Sequence, residues 1–224
     1  TTYTSANTTA GFSIMPYTGN GVAGATIGHG LGAVPKMLIV KQTNSSNNWK
    51  VYHVSMGNNN IMNLNDNSAE AGNTAFWNDT TPTSTLITLG TNGAINGSGN
   101  TYIMYAFAEK TGYSKFNSYV GNGNANGPFI YTGFKPAFII LKVSSDINDW
   151  TMFDNKRPGY NVNNQALLPN LSNSESTDHA IDILSNGFKI KDNDGTVNPN
   201  GQTMIYMAFG QSLVGSNNIP ATAR

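Results

Sequence analysis

The feature that most constrains this chain is that it reads nearly the same way twice, at an offset of 101–102 residues. YTGNG at 17–21 returns as YVGNG at 119–123. GAVPKMLIVK at 32–41 returns as GFKPAFIILK at 133–142, and the same shift lays Trp49 on Trp150. INGSGNTYIMYAFAE at 95–109 returns as VNPNGQTMIYMAFGQ at 197–211. Three blocks in one order predict two like units, and slips of one residue fall in Gly/Asn loops where insertions cost little. The expected boundary lies between residues 112 and 113, giving a first repeat over 1–112 and a second over 113–224. The stretches 55–85 and 155–180 do not align, so the two units should differ there.

Within each copy the pattern predicts strand after strand. The apolar runs at 37–41 and 138–142 fit central strands buried on both faces. WKVYHV at 49–54 and WTMFD at 150–154 alternate, which fits strands with one solvent face. Further strands are expected at 85–89, 102–108, 181–184 and 204–209. Asn-Gly pairs such as those at 20–21, 92–93, 122–123 and 200–201 supply tight-turn chemistry between them. No stretch has helical periodicity. The expected fold is therefore all-β: two tandem β-sandwich units, jelly-roll-like, from an internal duplication. Gly19, Gly21, Gly121, Gly123, Pro35 and Pro136 are structural positions of the repeated turns and strand starts. Trp49 and Trp150 are expected to anchor equivalent places in the two cores.

Composition narrows the function classes. Charged residues are 11% of the chain, with 12 Lys plus Arg against 12 Asp plus Glu. That is under half of the ~25% usual in soluble domains, so the polar surface must be built of Asn, Ser, Thr and Gly. No basic stripe exists to neutralise phosphates, which argues against a nucleic-acid partner. No apolar run approaches the ~20 residues of a membrane-spanning helix, so no membrane insertion is expected. The absence of cysteine removes disulfides and thiolate metal sites.

Motifs that resemble chemistry read as turns. GNGVAG at 19–24 matches G-x-G-x-x-G, but no helix can follow it and the second copy loses the third Gly. DNDG at 192–195 resembles a fragment of a calcium loop without the remaining ligands. His29 fits a loop, His53 the rim of a sheet, and His179 stands beside Asp178 and Asp182. The three glutamates, Glu70, Glu109 and Glu175, form no repeated pair of the kind glycoside hydrolysis needs. No catalytic residue, metal or cofactor is assigned. Recognition is expected in the divergent segments instead, where Trp77, Asp79, Lys156, Arg157 and Tyr160 offer ring faces, a carboxylate and cations on a rigid scaffold.

The residues YTGNG (17–21), GHGLGAVPKMLIVK (28–41), WKVYH (49–53), YVGNGNANGPFIYTGFKPA (119–137) and DILSNGFKI (182–190) carry a wider likeness. They resemble a domain family of unknown function found in predicted proteins of tailed bacteriophages, marine ones especially. The likeness spans Gly11 to Gly210, and the closing IPATAR also fits. It implies a non-enzymatic, extracellular virion structural protein of the tail-fibre or receptor-binding type. Its partners would be other virion proteins, further copies of itself in a homo-oligomer such as a trimer, and a host-surface glycan. A capsid decoration or cement protein is the alternative, followed by a carbohydrate-active enzyme on a sandwich scaffold.

Overall fold

The computed structural model describes residues 3–211, so the IPATAR motif lies outside the described residues. The chain divides into two compact units, Thr1–Lys110 and Thr111–Arg224.

Unit 1 holds β1 (Ser5–Asn7), β2 (Phe12–Thr18), β3 (Ala25–Gly28), β4 (Pro35–Gln42), β5 (Lys50–His53), β6 (Asn60–Asn63) and β7 (Ala71–Gly72). These are followed by α1 (Thr74–Trp77), β8 (Leu86–Leu89), α2 (Gly93–Asn96) and β9 (Thr101–Ala108). Its main sheet runs β1-β2-β9-β4-β5-β6-β7, and β3 pairs with β8 in a second, two-stranded layer. The inward residues of both layers, among them Met15, Leu38, Val40, Tyr102, Met104, Ile27, Ile87 and Leu89, share one apolar core.

Unit 2 holds β10 (Ser114–Val120), β11 (Phe129–Tyr131), β12 (Pro136–Val143), β13 (Thr151–Asp154), β14 (Ile181–Leu184), β15 (Gly187–Ile190) and β16 (Thr203–Gly210). A four-stranded sheet, β10-β16-β12-β13, is layered with a three-stranded one, β11-β15-β14. Ile139, Leu141, Val143, Tyr206, Ile130, Ile183 and Phe188 fill the space between them. Both units are all-β sandwiches with antiparallel pairing throughout.

The recurrence in sequence is matched by recurrence in hydrogen bonding. Pairing slips by one residue after Pro35 in β4 and after Pro136 in β12. The Asn96 Oδ1 accepts the Asn20 amide at 3.0 Å and its Nδ2 donates to the carbonyls of Val22 and Gly90. Asn198 repeats this with the Asn122 amide at 2.8 Å and the carbonyls of Asn124 and Asp192. Tyr17 donates to the Ile95 carbonyl, and Tyr119 to the Val197 carbonyl. The GNG turns are shaped by close approach: a Cβ on Gly19 would lie 2.5 Å from the Gly97 carbonyl, and one on Gly121 2.1 Å from that of Pro199. Gly21 and Gly123 both take positive φ.

Several expectations need correction. Among the described residues two single-turn helices occur, α1 and α2, each capped by an Asn side chain (Asn73 and Asn92) accepting the amide two residues on. One turn is too short to show periodicity. β5 has no solvent face, because Val51, Tyr52 and His53 are all buried. His53 is therefore not a rim residue. Trp49 and Trp150 share a backbone environment, each amide donating to an Asn side chain (Asn65 and Asn170). Only Trp150 is buried, however; Trp49 is half-buried and stacks on Tyr105 at 6.4 Å.

Candidate functional site

The residues expected to mediate recognition do not form one surface. Trp77 sits on α1 with 1% of its surface exposed, edge-on to Tyr52 at 5.8 Å. A ring with no free face cannot stack on a ligand, so Trp77 belongs to the core of unit 1. Asp79 is exposed just beyond that helix, with φ of 51°. Arg157 is committed within unit 2. Its Nε donates to Asp154 Oδ2 and its Nη1 to Glu175 Oε2, both at 2.6 Å. It ties the divergent segment down and presents no free cation. Lys156 keeps an exposed side chain, and Tyr160 is 76% exposed.

Tyr160 leads to the surface that the sequence did not single out. Just after it, the Asn161 side chain accepts the Ile183 amide and donates to the Ile183 carbonyl, and Asn163 pairs through its backbone with Ile181. The segment is thereby fastened along β14. From there the register crosses the small sheet: Asp182 opposite Lys189, and Lys189 opposite Phe129. One step along, Leu184 faces Gly187, and Gly187 faces Tyr131. Side chains alternate along a strand, so these residues share the outward face while Ile130, Ile183 and Phe188 point into the core. Phe129 and Tyr131 are 46% and 65% exposed.

Gly187 contributes no side chain; a Cβ there would meet the Ile130 carbonyl oxygen at 2.1 Å and the Phe129 ring at 3.0 Å. Lys189 donates to the Gly127 carbonyl at 2.7 Å, and Lys191 lies 3.7 Å from Asp182. The face thus presents the Phe129 ring close over Gly187 and Tyr131 beside it, with Lys189 and Asp182 in the neighbouring cross-strand row. In unit 1 the matching strand, ATIG, places Thr26 and Gly28 outward, so the aromatic pair is particular to unit 2. The alternation F-I-Y at 129–131 was the available signal, hidden because three residues are too few to register as a strand.

The other polar groups that the sequence singled out do not join this face. His179 faces Asp194 at 3.6 Å and Asp192 at 3.9 Å, not Asp178 and Asp182. Asp192 and Asp194 accept the amides of Asp194 and Thr196, which makes DNDG a turn. His29 is fully buried, its ring nitrogens meeting the Thr83 carbonyl and the Leu31 amide, and burial lowers its pKa. Burial raises the Glu70 carboxyl. Among the described residues, no three His, Asp or Glu side chains cluster as a metal site.

The model of a domain of unknown function, DUF7483, matches residues 1–212. The chain belongs to that family. Nothing among curated proteins or solved structures matches it. The aromatic face of unit 2 thus stands, within this DUF7483 chain, on its own geometry.

Proposed function

We propose that this DUF7483 chain is a non-enzymatic structural protein of a tailed-phage particle, of the tail-fibre or receptor-binding type. Its contact with a host-surface glycan is made by the outward face of β11, β15 and β14. The observation that carries this reading is the exposed pair Phe129 and Tyr131 over the side-chain-free Gly187. Sugar rings have an apolar C–H face that packs on aromatic rings, and exposed aromatics gathered on one rigid sheet are a departure from singly scattered ones. The likeness of the repeated motifs to tailed-phage proteins supports the setting. The structural use of several carboxylates is in keeping with a role without catalysis. Asp154 and Glu175 are bound to Arg157, and Asp66, Asp146 and Asp149 accept from Asn, Gln or backbone amides in turns.

The test is binding of the full chain to polysaccharide extracted from the surface of marine bacterial hosts, followed by biolayer interferometry. Tyr131→Ala and Phe129→Ala should each weaken binding about tenfold, the loss expected for one stacked ring. Their thermal midpoints should stay within about 2 °C of the parent, since neither ring is core. Unchanged binding by both variants refutes the site. If both variants instead fail to join purified particles while glycan binding never occurs, the capsid-decoration alternative takes its place.

A further inference from the structure

A groove on unit 1, far along the sequence from Phe129 and Tyr131, has a different chemistry. It is an open groove of about 300 Å³, lined by Tyr3, Pro16, Thr18, Thr43, Thr101 and Ile103, with Tyr17 and Tyr102 beneath. The pairing of β2 with β9 sets Thr18 opposite Thr101 and Pro16 opposite Ile103. Thr43, just past β4, donates its amide to the Thr101 carbonyl at 2.8 Å, and the two Oγ1 atoms lie 2.7 Å apart. Three threonines therefore form a row of hydroxyls across adjacent strands. Two residues along, β1 pairs Ser5 with Ile14, and continuing that register puts Tyr3 beside Pro16. A second, apolar row of Tyr3, Pro16 and Ile103 runs next to the first, and Tyr3 is 74% exposed.

Among the described residues, no charged side chain lines this groove. The hydroxyls of Tyr17 and Tyr102 donate to the carbonyls of Ile95 and Gly93, both at 2.6 Å. Lys41, opposite Ile103 on β4, turns its ammonium to the carbonyls of Ser45 and Asn47. A ligand here would lay an apolar surface on Tyr3, Pro16 and Ile103 and offer hydroxyls to the threonine row. Unit 2 does not repeat the arrangement. Val120 stands where Thr18 does, Ser144 where Thr43 does, and among the described residues β10 is the edge strand, with no strand in the place of β1.

We infer that this groove is a second binding site, selective for an uncharged pyranose. A sugar ring presents one C–H face and a rim of hydroxyls, which matches one apolar row beside one hydroxyl row in a pocket at the small end of the usual range. The inference does not depend on the aromatic face of unit 2.

The experiment is titration of the isotope-labelled full chain with the methyl glycosides of glucose, galactose and N-acetylglucosamine, and separately with methyl glucuronide. Saturable amide shifts at Thr18, Thr43 and Thr101 with at least one neutral glycoside are expected, and none with the glucuronide. Tyr3→Ala and Thr101→Val should each weaken that response about tenfold while the remaining β9 amides keep their positions. Tyr131→Ala should leave it unchanged, which separates this site from the one on unit 2. Absence of shifts with every neutral glycoside, shifts unaffected by Tyr3→Ala, or equal binding of the glucuronide would each overturn the inference.

Discussion

Asn96 and Asn198 show how a neutral side chain organises this fold. Each is buried, and each satisfies an amide of the GNG turn while its own Nδ2 closes two neighbouring carbonyls. One residue thus welds the turn after the first long strand to the loop before the last. A chain short of charge needs such joints, because buried backbone groups cost most when left unpaired. Asn198→Ala should lower stability by about 2–3 kcal/mol, since it orphans the Asn122 amide and two carbonyls at once. Asn96→Ala should cost a similar amount. Urea unfolding would measure both; a loss under about 0.5 kcal/mol would mean that water replaces the side chain without penalty.

Among the elements, β11 is the shortest strand of unit 2 and the one that carries the aromatic pair. Its approach to β15 is possible only because Gly187 lacks a Cβ, which would fall 2.1 Å from the Ile130 carbonyl oxygen. Gly187→Ala should therefore push the strands apart, cost about 2–3 kcal/mol and abolish the proposed glycan binding. Gly195→Ala, with nothing within 4 Å of the added carbon, should be neutral in both respects. If Gly187→Ala unfolds no more easily than Gly195→Ala in the same urea titration, the close contact is relieved cheaply. The long strands β4, β9, β12 and β16 were legible in the sequence, because eight residues give an apolar run room to show and the repeat marks it twice. β3 and β11 were not, since three or four residues between glycines look like loop. Tyr160 was legible as an unaligned aromatic, whereas Trp77 misled. Its neighbours Asn78 and Asp79 suggest a surface loop, but the single turn of α1 rotates the ring inward. The groove of unit 1 left no trace at all, because it joins Tyr3, Pro16, Thr43 and Thr101 across four separate stretches of chain.

For the molecule as a whole, few ionisable groups leave the pH dependence of stability to individual sites: buried His29, Glu70, and one place where an ion pair is structural. That place is the divergent segment of unit 2. Burial is the largest single influence on the Asp154 carboxyl and raises its pKa. The Arg157 side chain and the amides of Arg157 and Lys156 together outweigh it, and the pKa lies below the usual carboxylate value. A carboxyl whose pKa is depressed by folding adds stability that is present above its unfolded value, about pH 4, and is lost as pH falls through the folded one. Arg157→Met keeps most of the apolar stem and removes the charge. It should cost about 1–2 kcal/mol at neutral pH, in line with charge-assisted bonds that are partly open to water. Well below the folded pKa of Asp154 the cost should shrink to a few tenths, because the protonated carboxyl no longer needs the guanidinium. Hydrogen exchange at Met152 and Leu167, whose amides bond to each other's carbonyls beside this pair, reports on unit 2 alone. A cost that stays the same at both pH values would show that Arg157 acts by packing. The segment leading to Tyr160 would then be fixed by the side-chain amides of Asn161 and Asn163, without help from charge.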